Sequence, residues 1–217
     1  MRSALLLVAT LLVTTACYQE KESSSSSSSQ LIPESKALKM GAFLPTPIGD
    51  PVEGRPWITD LTTTDLDNNG LMDILLCEGR FNEVRVILQT APGIFAERQI
   101  GETIEGPVHV ATADMDGDGD LDVLVASMGV VFPNPLEIGA VVILEQVGKL
   151  EFKNRIIASK VHRVTDVQAG DLDGDGDLDL SVAKFGYDQG ETCWMENQGN
   201  WKFSTHTLHP FSGAIHA

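Results

Sequence analysis

Three nine-residue segments of one design punctuate this chain: Asp65-Leu66-Asp67-Asn68-Asn69-Gly70-Leu71-Met72-Asp73, then Asp114 to Asp122, then Asp171 to Asp179. Their first aspartates lie 49 and then 57 residues apart. A motif returning at that interval marks a repeated supersecondary unit that buries its faces by stacking on its neighbours. Each segment runs into an apolar stretch: Ile74 to Cys77, Val123 to Ala126, Leu180 to Ala183. A second stretch follows (Val84 to Gln89, Ala140 to Gln146, Cys193 to Asn197), then a glycine-containing turn and a phenylalanine, Phe95, Phe152 or Phe203. These runs are short, rich in Val, Ile and Leu, and carry no sustained 3.6-residue period, so they predict strands. Length varies between the second and third strands, as in the insert from Gly129 to Gly139. The expected fold is all-β: about three four-stranded antiparallel blades, at about 54–104, 105–158 and 159–212.

The spacing within each segment points to a cation. Carboxylates at positions 1, 3 and 5 converge on one side of a wrapped loop, and glycine at position 6 allows a sharp turn. Calcium takes six to eight hard oxygen ligands, whereas magnesium demands octahedral geometry and keeps its waters. The expected ligands are Asp65, Asp67, Asn69, Leu71 and Asp73 in the first loop. In the second they are Asp114, Asp116, Asp118, Asp120 and Asp122, and in the third Asp171, Asp173, Asp175, Asp177 and Asp179. Position 7 contributes its backbone carbonyl, so Leu71 serves as well as Asp120 or Asp177. An EF-hand is excluded, because position 12 is Leu76, Val125 or Val182 rather than a bidentate glutamate. About three structural Ca²⁺ ions are expected, held most weakly by the first loop, where Asn69 replaces an aspartate.

The chain has a net charge of −16, and thirteen of its 31 acidic residues lie in the three loops. That balance excludes a nucleic-acid partner, which requires a basic face. At the N-terminus, Arg2 precedes an apolar run from Ala4 to Val13 and the small residues before Cys17. This reads as a signal peptide over 1–16, hence export. Cys17 directly after Ala16 resembles a bacterial lipobox, which implies lipidation at Cys17 and a membrane-anchored lipoprotein at the cell surface or in the periplasm. The unbroken run from Ser23 to Ser29 makes 17–53 a flexible tether and linker. Met40 to Leu44 is a candidate short strand. Cys77 and Cys193 fall in different repeats and read as buried free thiols.

The repeated D-x-D-x-[DN]-G-x-x-D loop between strands resembles the FG-GAP/VCBS repeats of integrin-α-like β-propellers, over residues 54–217. The resemblance implies bound calcium, a propeller of typically seven blades, and roles in adhesion or recognition. The last five residues, Gly213 to Ala217, parallel Gly106 to Val110, the start of the second unit. Three units and the start of a fourth make an incomplete propeller, so the sequence is expected to be the N-terminal part of a longer protein.

Two functions follow as expectations. One is a surface-anchored, calcium-stabilised scaffold, not an enzyme, that recognises an extracellular protein or glycan. The other is part of an exported propeller enzyme acting on polysaccharide, with its catalytic residues outside this chain. No Cys-x-x-Cys-His, His-Glu-x-x-His or Gly-x-Ser-x-Gly motif occurs. The five histidines are scattered without a repeated carboxylate partner, and His109 occupies the place of Asp60 and Asp166, as a blade-edge residue rather than a base. Trp57, Trp194 and Trp201 are expected in the core.

Overall fold

A computed structural model describes residues 47–49 and 54–217. The signal peptide, Cys17, the Met40–Leu44 candidate strand and all of the 17–53 linker except 47–49 lie outside the described residues. Twelve strands follow in chain order. The first blade holds β1 (Ile58–Thr64), β2 (Asp73–Glu78), β3 (Glu83–Ala91) and β4 (Ile94–Ile100). The second holds β5 (Pro107–Ala113), β6 (Asp122–Ser127), β7 (Gly139–Gly148) and β8 (Glu151–Val161). The third holds β9 (Arg163–Gly170), β10 (Asp179–Phe185), β11 (Glu191–Asn197) and β12 (Phe203–His209). Each set forms its own four-stranded antiparallel sheet in sequence order, and the described residues contain no helix. The all-β blade architecture expected from the repeat is therefore present.

Burial explains why inner and outer strands read differently in the sequence. Every residue of β6 is buried, because both faces of its sheet are covered. Val123 and Val125 pack toward the first blade, with Leu75, Val84, Val86 and Leu144. Leu124 and Ala126 pack toward the third, with Val164, Val167, Leu180 and Val182. The period-two alternation of a strand thus feeds two separate cores, and the run stays apolar throughout. The outer strands β4, β8 and β12 alternate or are largely exposed, as fits a blade's rim. Truncating a central residue such as Leu124 to alanine is worth about 2–5 kcal/mol.

Cys77 sits in the core between the first two blades and Cys193 in the core between the second and third; both are free thiols. Burial pushes both thiols up from their ordinary pKa. The innermost strands β1, β5 and β9 lie side by side and form the seam along which successive blades meet.

Candidate metal centres

The three acidic loops are the β1–β2, β5–β6 and β9–β10 connections, so they cluster at one end of the blades. The backbone folds them through side-chain oxygens. Asp65 accepts the N–H of Asn69 at 2.9 Å and of Gly70 at 2.8 Å. Asp114 accepts those of Gly117, Asp118 and Gly119, and Asp171 that of Gly174. At position 5, the side-chain oxygens of Asn69, Asp118 and Asp175 each accept the N–H two residues on, at 2.8, 2.9 and 2.9 Å. This Asx-turn orders the loop ahead of any ligand. Glycine at position 6 has φ of +84°, +97° and +100° in the three loops, a region that penalises any Cβ.

The ninth residue does something the sequence pattern did not show. Asp73, Asp122 and Asp179 open β2, β6 and β10 and are 0%, 2% and 1% exposed. One carboxylate oxygen of each accepts the N–H of loop position 2 (Leu66, Met115, Leu172), at 3.0, 2.9 and 3.0 Å. The other accepts an N–H from the third strand of the same blade (Gln89, Gln146, Asn197), at 2.8 Å in every case. Position 9 is therefore a buried staple joining the loop to the sheet, whatever it contributes to an ion.

The side chains that converge differ between loops. Asp65, Asp67 and Asp73 place ligand atoms within 4.8 Å of one another, as do Asp114, Asp116 and Asp118, and Asp171, Asp173 and Asp179. Asp122 is outside the converging trio of its loop, as is Asp175 of its own, while Asp120 and Asp177 stand exposed. At an effective dielectric near 20, each close carboxylate pair of the first loop repels by about 3–4 kcal/mol. In that loop Asp67 Oδ1 is buried without a hydrogen-bond partner among the described residues, while its Oδ2 lies 3.8 Å from the exposed Lys149 Nζ. A buried carboxylate oxygen without a partner is costly unless a cation meets it. An all-oxygen donor set without cysteine or histidine suits a hard divalent ion. The residues present fit calcium.

Proton affinities report the same crowding. Burial holds Asp73 above the usual carboxylate range despite its two backbone bonds, with Asp67 and Asp65 adding repulsion. Burial raises Asp122 to about 6 against the pull of Gln146 and Met115, helped by Asp116 and Asp118. Asp116 is raised by burial and then by Asp118. The Asp175 N–H pulls Asp173 down, but desolvation and the charges of Asp175, Asp179 and Asp171 hold it up.

A second polar system runs along the seam of inner strands. His109 Nδ1 lies 2.9 Å from Asp60 Oδ2 and its Nε2 lies 3.0 Å from Asp166 Oδ1, so the ring bridges all three blades. Asp60 Oδ2 also accepts the Val110 N–H at 2.9 Å. The arrangement repeats two blades on, where Asp166 Oδ2 accepts the Ala217 N–H at 2.9 Å and lies 3.5 Å from His216 Nδ1. The expectation that the histidines lack a repeated carboxylate partner is therefore corrected: Asp60–His109 and Asp166–His216 are equivalent pairs. A threonine latch accompanies them. Thr59 Oγ1 donates to Pro107 O at 2.7 Å, and Thr165 Oγ1 to Ala214 O at 3.1 Å.

The tryptophans divide. Trp201 packs on the core beneath the Arg155 guanidinium, 5.4 Å from its ring centroid, and Trp194 stacks on His206. Trp57 corrects the expectation of a core position: it is 42% exposed and meets Phe132 edge-on.

No curated protein matches the chain. Residues 65–125, which run from the first loop through its blade to the strand after the second loop, match the model of the FG-GAP-like repeat.

Proposed function

We propose that this chain is a calcium-binding, surface-anchored β-propeller scaffold whose ions are structural and whose exposed faces recognise an extracellular protein or glycan. The observation that carries the calcium reading is the partnerless, buried Asp67 Oδ1 beside Asp65 and Asp73, in a loop whose design recurs twice more. FG-GAP-like repeats are typical of extracellular propeller domains, which supports a recognition role over an intracellular one. No helix among the described residues is long and apolar enough to cross a membrane. The anchor in this reading is the acylated Cys17, on the strength of the Ala16-Cys17 junction alone.

Calorimetric titration of the chelator-treated protein tests the calcium half. The expected result is about three calcium ions per chain and a melting temperature that rises on loading, with magnesium a poor substitute. A melting curve indifferent to both calcium and chelator would refute it. For the anchor, Cys17→Ser should shift the protein from the membrane fraction to the soluble fraction.

A further inference from the structure

At the end of the blades away from the acidic loops, the three inner strands and the long β6–β7 connection enclose a cleft of about 560 Å³. Its walls are mainly apolar: Val108 from β5, Met128, Val131 and Pro133 from the connection, and Phe185 and Tyr187 from the end of β10 and just beyond. Arg163, the first residue of β9, also lines it. Arg163 is only 5% exposed. Its guanidinium carbon lies 4.5 Å from the Phe185 ring centroid and 5.3 Å from that of Tyr187. Among the described residues it has no carboxylate partner, and its Nε is buried without a hydrogen bond. A buried guanidinium without a counter-charge is costly, even with two aromatic faces against it. It is the more unusual in a chain of net charge −16, where carboxylates are abundant. Asp60 also lines the cleft, but no ion pair within 4.0 Å joins it to Arg163, and its Oδ2 faces His109 Nδ1 and the Val110 N–H instead.

From this we infer that the cleft is a binding site for a carboxylate carried on a small apolar body, with Arg163 as the anion's partner. The planar fork of arginine matches a carboxylate in bidentate fashion. One guanidinium balances one negative charge, which favours a carboxylate over a phosphate dianion. The apolar walls then cover the rest of the ligand, as in small-molecule sites generally. The carboxylate could come from the C-terminal residue of a partner peptide or from a free organic acid. This inference rests on the recognition role proposed above and gives that role a location.

The test is a titration of the calcium-loaded full chain with three probes, followed by NMR and calorimetry. N-acetyl-L-leucine represents a peptide terminus, 4-methylpentanoate a free acid, and N-acetyl-L-leucinamide an uncharged control. Binding of either acid, with a shift of the Arg163 Nε–H resonance and little binding of the amide, is the expected result; the tighter acid identifies the source. Arg163→Gln should weaken that binding by at least about tenfold, the equivalent of one charge-assisted hydrogen bond. Val131→Trp fills the cleft without touching the charge and should do the same, which keeps the test decisive if the Arg163 variant does not fold. Equal binding of acid and amide, or no binding of either acid to the wild type, overturns the proposal. If the acids fail while calcium still binds and stabilises, the cleft falls and the scaffold stands. If calcium does not bind but the acids do, the reverse holds.

Discussion

Replacing Asp122 by alanine separates the structural task of position 9 from any ligand task, provided the measurement is made in excess chelator. The carboxylate is buried and accepts the Met115 N–H at 2.9 Å and the Gln146 N–H at 2.8 Å. Alanine leaves both buried donors without an acceptor, at about 1–3 kcal/mol each. Relief from desolvating a carboxylate offsets part of this, so the expected loss is roughly 2–4 kcal/mol. Against a typical total of about 5–15 kcal/mol, that is readily resolved by urea unfolding followed through tryptophan fluorescence. Asp120→Ala, exposed in the same loop, is the control and should stay within about 0.5 kcal/mol. If the two variants are equally stable in chelator, Asp122 is not a staple and its conformation is set by something else. The acid dependence adds a second readout. The folded pKa of about 6 stands above the ordinary 3.8, so the folded chain binds this proton more tightly. Its contribution is fully present below about pH 3.8 and is lost as pH rises through about 6. The stability advantage of wild type over Asp122→Ala in chelator should therefore shrink between those limits. With calcium present the trend opposes this, because protons on Asp116 and Asp122 compete with the ion.

Three further outcomes are expected. Stepwise chelation should empty the first loop before the others, and Asn69→Asp should tighten it, as read by calcium titration of single-loop variants. His109→Phe should cost about 1–3 kcal/mol in urea unfolding, since it removes the imidazole that lies between the Asp60 and Asp166 carboxylates; a neutral effect would show that the seam is held by apolar packing alone. Gly176→Ala should cost about 1–2 kcal/mol from its φ of +100°, because nothing lies within 4 Å of the added Cβ to clash with it; a larger loss by thermal melting would indicate a contact that the loop makes only with its ion.

The blades were legible because the second strand of each is largely buried, β6 on both faces, and so reads as a mainly apolar run after its opening aspartate, while position 6 is glycine in every copy. The role of Asp73, Asp122 and Asp179 as staples was not. A sequence shows the carboxylate, but one of the two N–H groups it receives comes from the third strand, 16 to 24 residues on. The seam was hidden for another reason. Asp60, His109 and Asp166 are recognisable as one repeat position, but equivalence within a repeat does not show that equivalent residues of neighbouring blades touch. The usable signal was spacing, since each lies five residues before its loop's first aspartate. Trp57 was misplaced because a large aromatic predicts burial only where a neighbouring blade covers it, and here Phe132 meets only its edge. Arg163 gave no signal at all: a charged residue opening a strand is ordinary until its surroundings prove apolar.

The latches between blades have a direction. Thr59 and Asp60 reach forward to Pro107 and Val110, and Thr165 and Asp166 reach forward to Ala214 and Ala217; the first and third blades each carry a socket for the segment that follows them, while the second has Val108-His109 at those positions. Such head-to-tail interfaces are polar in the vectorial sense, so a blade can be exchanged for another only in the same orientation. The socket recognises mostly backbone: two carbonyls and two N–H groups, with a histidine ring beside each. Successor strands of different sequence can fill it. The exchangeable part of the architecture is therefore everything outward of β1, β5 and β9, and the Thr-Asp pair is the coupling that a blade graft must preserve.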